Sequence, residues 1–430
     1  MIETLIKLWK NDFIKGGTIF TIASFVANIF NYFFNLLAAR ALGPAGYGEI
    51  ATLFSYASVA SVPVLVMTYI VIEKIGARGA QAHTFALALN DWFLSKLRQR
   101  WFLIIALLIM MPLVPIVTNM NQLSAYALIP FLILSSVGAF YAAVLQGLHL
   151  FVWIATLGIA TSFLKLTGAL LAMGGVGGLE IILIMLFASV TLPLLTSQRL
   201  LIHSTKNAQH KKNIKITKRL RSILLNRQVI ITFASLLAVT ALINIDIIYV
   251  KKAYTAAEAG IYSSWSLLAR IIFYATGPIS MIGYTFFTNK KSKQNHEKIL
   301  SISLMALSII AIISYIFYTH FSHFIIALFF GDKFDAIIPY LGYASLFGAF
   351  YTAIMFINNY FLAKKSAIAL TPAILLPIYV VALIVFTHSL EQIMQLNVIF
   401  ALIVTLVYLV AYVKGFSYNG AQWKKKPSTS

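Results

Sequence analysis

Long apolar blocks dominate this chain, with few of the short alternating or 3.6-residue patterns of a water-soluble fold. A helix rises 1.5 Å per residue, so about 20 apolar residues are needed to cross a ~30 Å hydrocarbon core. Blocks of that length fall near 17–39, 48–72, 101–119, 123–147, 151–173 and 178–198. After a basic stretch from 199 to 228, six more fall near 229–250, 260–286, 299–319, 336–362, 368–387 and 393–413. The pattern predicts an all-α polytopic membrane protein with about 12 transmembrane helices. It divides into an N-lobe, 1–206 (spans 1–6), a basic cytoplasmic linker, 207–228, a C-lobe, 229–414 (spans 7–12), and a cytoplasmic tail, 415–430. The first block, about 23 residues, exceeds the 7–15 of a signal-peptide core and reads as a retained helix.

Composition agrees. Of 430 residues 60% are hydrophobic and only 10% charged, where a soluble domain carries roughly 25%; mean hydropathy is +0.87. The absence of cysteine excludes disulfides, thiolate metal sites and thiol nucleophiles. A net charge of +21 would point to nucleic acid in a soluble protein, but its placement says otherwise. With both termini inside, the cytoplasmic segments hold Lys7, Lys10 and Lys15, five cations between 74 and 100, nine between 199 and 227, four between 290 and 298, Lys364 and Lys365, and four from Lys414 on, 27 in all. The external segments hold four: Arg40, Lys251, Lys252 and Lys333. This asymmetry is the orientation signal of a membrane protein, and it accounts for most of the charge without nucleic acid. No hydrophilic segment is long enough for a nucleotide-binding domain, and no G-x-x-x-x-G-K-[ST] occurs. The Gly-rich run at 174–178 reads as a tight external turn. No cofactor is expected.

The two lobes carry traces of duplication. Asn31 to Tyr47 and Asn244 to Tyr262 both run from a polar span end past a basic residue to a Gly and Tyr that open the next span, at offsets of 213 and 215. Phe140-Tyr141-Ala142-Ala143 resembles Phe350-Tyr351-Thr352-Ala353 at an offset of 210. Each lobe has an even number of spans, so the repeat is parallel, about an axis along the membrane normal.

Candidate chemistry lies where polarity interrupts the apolar blocks. In the first span Ser24, Asn28, Asn31 and Asn35 recur on one helix face, as helix–helix hydrogen bonds or as a lining for hydroxyl-rich cargo. The fifth span places Lys165 on a face with Gly158 and Ser162, and the eighth places Arg270 among Ser263, Ser266 and Tyr274. A mid-membrane cation costs roughly 2.5–3.5 kcal/mol. Arg270 paired with Asp246, and Lys165 on helix-end carbonyls, would be structural; unpaired, both would suit an anion, Arg270 as a planar fork for phosphate oxygens. Asp246, the one acid inside a span rather than at its edge, is a candidate for ion coupling or for an ion pair. Arg40, Lys251 and Lys252 mark equivalent external ends of the two lobes, as an outer cationic rim or as snorkelling side chains. The amphipathic stretch 83–100 is expected at the cytoplasmic interface, anchored by Trp92 and Phe93.

Several motifs carry a family resemblance. Arg40-Ala-Leu-Gly-Pro-Ala-Gly-Tyr-Gly48 after the first span resembles the start of polysaccharide flippases, the Wzx-type (O-antigen) branch of the multidrug/oligosaccharidyl-lipid/polysaccharide exporter superfamily. Gly147 and Phe151 with the later Lys165, Asn244-x-Asp246 with Ala259-Gly260-x-Tyr262, and Phe330-Gly331 before Phe334 are similar to further motifs of that family. His149 departs from its pattern and is given no role. The resemblance implies two six-helix bundles around a central cavity that opens alternately to each side. It also implies a cargo of oligosaccharide repeat units on polyprenyl pyrophosphate, with ion coupling optional. The setting implied is the bacterial inner membrane, in lipopolysaccharide biosynthesis beside a glycan polymerase and chain-length machinery. A multidrug/cation antiporter of the same superfamily is the nearest rival. A membrane-embedded glycan polymerase or ligase is disfavoured by the short, nearly charge-free external loops, so a transporter rather than an enzyme is expected.

Overall fold

The structure, a computed structural model, describes residues 12–205, 226–288 and 296–423. Most of the predicted basic linker (207–225) and the end of the tail (424–430) lie outside the described residues. Two compact units are formed. The first comprises the described residues up to Val229 with Lys251–Gly260 and Phe329–Lys333; the second comprises Ile230–Val250, Ile261–Leu328 and the described residues from Phe334 on.

The first unit opens on α1 (Asp12–Ala60), one run of helix with a kink at Gly43. Gly43 has φ 66°, ψ −176°, a backbone region open essentially to glycine alone and costing another residue about 1–3 kcal/mol. Pro44 follows, restarting the helix at a position where its missing N–H is no loss. After a break at Ser61 come α2 (Val62–Gly76), the amphipathic α3 (Ala82–Gln99), the short pair α4 (Trp101–Ile109) and α5 (Leu113–Thr118), then α6 (Gln122–Gly147), α7 (Phe151–Met173) and α8 (Leu179–Ser204). The N-terminal part of α1 packs along α7, α6 against α2 and α8, and α7 against α8. Rings join the layers: Phe54 lies edge-on to Phe34 and Phe131, and Phe131 edge-on to Phe187.

α9 (Arg227–Leu242), which enters the second unit at Ile230, and α10 (Ile245–Ala253), which leaves it after Val250, are bent by 45° across the break at 243–244. There follow α11 (Ala256–Thr288), α12 (His296–His320), α13 (Ser322–Phe329), a 3-10 segment (Asp332–Tyr340), α14 (Leu341–Ala363), α15 (Thr371–Phe386) and α16 (Leu390–Trp423). α14 packs between α12 and α16, and α15 on α16. Trp265 stacks on Phe347 at 5.8 Å and donates its indole N–H to the Tyr340 carbonyl.

Large apolar side chains face outward along these helices, with Ile312 62%, Ile374 69% and Phe386 70% exposed. A water-soluble surface does not carry such continuous apolar faces; a lipid-facing one must. Among the described residues eight helical stretches are long and apolar enough to cross a membrane, nine if α9 and α10 form one bent span. The difference from the expected count has physical causes. The predicted spans 17–39 and 48–72 share α1, and the second of them is broken again at Ser61. The span at 101–119 is cut at Met110–Pro112 into two short helices. The predicted span at 260–286 lies within one unbroken helix, Ala256–Thr288, with Ser263, Ser264, Ser266 and Arg270 in its first half.

The duplication is visible in backbone geometry. Asn119 and Gly331, 212 residues apart, both have positive φ (54° and 81°), the first shortly before α6 and the second before the 3-10 segment that leads into α14. His149 and Lys365, 216 apart, are left-handed at φ 59° and 56°. Each closes its helix with the same pair of bonds: Leu150 N–H to the Leu145 carbonyl and His149 N–H to that of Gln146, then Ser366 N–H to Phe361 and Lys365 N–H to Leu362. This is the Schellman C-cap.

Candidate functional site

In the first unit the polar stripe of α1 meets the face of α7 that carries Lys165. Asn31 is the junction. Its Nδ2 donates to Ser162 Oγ at 2.8 Å and to the Ala27 carbonyl, while its Oδ1 accepts from Lys165 Nζ at 3.3 Å. Asn35 donates to the Asn31 carbonyl and accepts from the Tyr47 hydroxyl at 3.4 Å. The Lys165 ammonium also lies 5.6 Å from the centre of the Phe54 ring. Its recorded partners are therefore an amide and a ring face. Neither carries the negative charge that would cancel an ammonium, which has three protons to donate. Ser24 bonds within its own helix, to the Phe20 carbonyl, and Asn28 is exposed.

In the second unit the break between α9 and α10 sets the geometry. A broken helix leaves carbonyls without intrahelical donors. Arg270 of α11 supplies donors there: its guanidinium bonds the Ile243 carbonyl at 2.5 Å and Asn244 Oδ1 at 3.2 Å, and its Nε has no partner. Two residues on, Asp246 is fully buried. Its Oδ2 accepts from the Tyr262 hydroxyl at 2.5 Å and from Asn397 Nδ2 at 3.0 Å. Asn397 also donates to the Tyr262 oxygen at 2.6 Å and accepts from the Tyr379 hydroxyl. Asp246 Oδ1 has no hydrogen-bond partner. A cavity of about 10 Å³ adjoins Asn397 and Tyr379, room for roughly one water. Ser266 is buried with no bond to its hydroxyl, and Tyr274 is exposed.

The three external cations lie in different surroundings. Arg40 is exposed. Lys252 is exposed and donates to the Ile116 carbonyl at 2.9 Å. Lys251 is buried, 2.6 Å from Glu49 Oε1, whose other oxygen accepts from the Asn121 N–H. Its charge is thus taken up within the protein in this conformation, where the sequence reading expects a rim cation or a snorkelling side chain. Beside this pair the backbones meet: a Cβ on Gly260 would stand 1.6 Å from the Pro44 carbonyl oxygen.

Sequence reasoning passes over three residues of these clusters, Glu49, Tyr379 and Asn397, and names Tyr262 only within a motif. Asn397 has a usable signal, an amide that with Gln395 opens a long apolar run. Glu49 follows Gly-Tyr-Gly at the start of an apolar block and looks like an interfacial acid.

No protein-family model and no curated protein matches the chain. Solved structures do. An inward-facing multidrug resistance MATE family transporter of the MOP superfamily superposes with a TM-score of 0.65 at 13% identity, covering 93% of this chain and 96% of that one. The lipid II flippase MurJ, in an inward closed conformation, gives 0.69 at 15% identity, with 92% and 87% covered. The eukaryotic MATE transporter AtDTX14 gives 0.60 at 10% over 94% and 96%. The chain has the MATE and MurJ fold. It is a multi-pass membrane protein, and its structural neighbours of that MATE and MurJ fold are transporters and flippases rather than enzymes.

Proposed function

We propose that the chain is a flippase that moves a polyprenyl-pyrophosphate-linked oligosaccharide repeat unit from the cytoplasmic to the external leaflet by alternating access. The observation that carries the reading is Lys165, a cation inside an apolar helix whose recorded partners are Asn31 and Phe54. A charge kept there without a carboxylate is expensive, and an anionic cargo would repay the expense. Arg270, though occupied by the broken helix, keeps Nε and further donors for phosphate oxygens. The likeness to a lipid II flippase supports a lipid-linked cargo, and the motif beginning at Arg40 supports a polysaccharide one.

In this reading the twelve spans are the two halves of the α1–α2 run divided at Gly43, the α4–α5 pair, α6, α7, α8, the bent α9–α10 pair, α11, α12, α14, α15 and α16. Both termini are cytoplasmic, in a bacterial inner membrane. Asn28, Asn31, Asn35, Ser162, Ser266 and Tyr274 meet the sugar hydroxyls, while Arg40 and Lys252 receive the headgroup outside, joined by Lys251 once Glu49 releases it. Carrying two negative charges outward is favoured by about 4.6 kcal/mol per 100 mV, inside negative. Asp246, with an unbonded oxygen beside a broken helix, is where a proton or metal cation would couple in addition.

Deleting the gene should strand lipid-linked oligosaccharide on the cytoplasmic face, and Lys165→Ala and Arg270→Ala should reproduce this with normal amounts of protein. Wild-type export in both variants would sink the assignment. The second reading, a multidrug/cation antiporter, is favoured by one observation, the buried Asp246 cluster. It predicts drug sensitivity without any glycan defect on deletion.

A further inference from the structure

A cavity of about 420 Å³ opens on the side of the first unit, among α2, α3, α4 and α6. That is within the size range of small-molecule sites. Met67, Trp92, Phe93, Leu107, Ile133 and Phe140 supply much of the wall. Its two hydroxyl residues, Thr68 and Ser136, donate to carbonyls of their own helices, at 2.9 and 2.6 Å. The lining therefore asks for a hydrocarbon, not a polar group. The roof is the apolar face of α3, held firmly: Phe93 stacks on Phe140 at 3.8 Å and 13°, and the Tyr141 hydroxyl donates to Asn90 at 3.1 Å. The aromatic residues expected to anchor α3 to the bilayer surface thus line the cavity and fasten the helix to the protein.

Charge gathers at this end of the unit. Lys74 and Arg78 end α2, and Lys96, Arg98 and Arg100 end α3, against Glu73 and Asp91. Glu73 is already bound to Lys74 at 2.8 Å. Arg98 and Arg100 are exposed, next in sequence to the wall residue Leu97. The cavity is also distinct from the Lys165 cluster. That cluster reaches α6 through Phe54 and Phe131. At 100° per residue, Phe131 projects about 170° away from the face of α6 formed by Leu132, Ile133, Ser136, Val137 and Phe140.

We propose that this cavity holds an acyl chain of an anionic glycerophospholipid from the surrounding bilayer, with the lipid phosphate among Lys96, Arg98 and Arg100. An apolar slot beside a rim with more cations than acids matches both ends of such a molecule. The site is separate from the cargo route and does not depend on what the cargo is.

The full chain in discs of equal phosphatidylglycerol and phosphatidylcholine, released and weighed by native mass spectrometry, tests this. The wild type should retain phosphatidylglycerol preferentially. Arg98→Gln with Arg100→Gln should lose that preference, by about five-fold per cation, while still retaining a lipid. Ile133→Trp, which fills the slot, should retain neither lipid. Equal retention of both lipids by the wild type would overturn the proposal. So would an unchanged preference in the charge variant, full retention by a folded Ile133→Trp, or displacement of phosphatidylglycerol by added polyprenyl phosphate. The charge variant alters only exposed side chains, so it decides the matter even where the filled variant does not fold.

Discussion

Glu49 and Lys251 form a buried ion pair, and removing one partner of such a pair leaves a bare charge at a cost of about 3–5 kcal/mol. Glu49→Gln should therefore lower the midpoint of thermal unfolding or open the contact between α1 and the 251–260 segment, and adding Lys251→Met should restore much of the loss. A double-mutant cycle on the melting curve reads this, and simple additivity of the two changes would refute the coupling. Asp246→Asn keeps the shape of its cluster but removes the charge. It should abolish any dependence of transport on a proton or sodium gradient while leaving the protein folded, and gradient-driven transport intact in the variant would clear Asp246 of the role. Lys165, Arg270 and Asp246 were legible because a charge inside an apolar run is conspicuous. Their partners were not. Asn31 reaches Ser162 across 131 residues and Asp246 reaches Asn397 across 151, and a single amide says nothing local about which helix it will face.

Helix breaks and helix starts carry the next level of meaning. The turn before α11 is a capping box: Thr255 Oγ1 lies 3.3 Å from the Glu258 N–H, and Glu258 Oε2 accepts from the Thr255 N–H at 3.0 Å and from its hydroxyl at 2.7 Å. These bonds hold the Glu258 carboxyl below the usual glutamate range. A depressed pKa means that the stabilisation is present above the unfolded-state value and is lost as pH falls through the folded one. Thr255→Ala should weaken the helix start by about 1 kcal/mol at neutral pH and by less in acid, seen as faster amide exchange over residues 256–259. An unchanged exchange rate would mean the box is ornamental. Hydropathy located the apolar elements but not the breaks inside them, at Ser61, at Met110–Pro112 and at 243–244. An apolar sum is blind to where a helix bends. The kink at Gly43-Pro44 falls in the gap that hydropathy leaves between the first two blocks, although the helix runs on through it.

At the scale of the molecule, orientation is the property most open to direct measurement. The chain has no native cysteine, so single cysteines report without interference. Gly175→Cys should react with a membrane-impermeant maleimide on intact cells, and Ser95→Cys only after permeabilisation. The reverse pattern would invert the orientation inferred from the charge distribution. The repeat, legible from three sequence offsets, is reinforced by left-handed residues and caps that no composition could show. One contact recurs with a difference. Tyr47 reaches back to Asn35 in the first half, and Tyr262 reaches back to Asp246 in the second. The separations differ, 12 residues in the first pair and 16 in the second. The amide and the acid are therefore not counterparts in the repeat, and the second half carries its buried carboxylate at a position of its own.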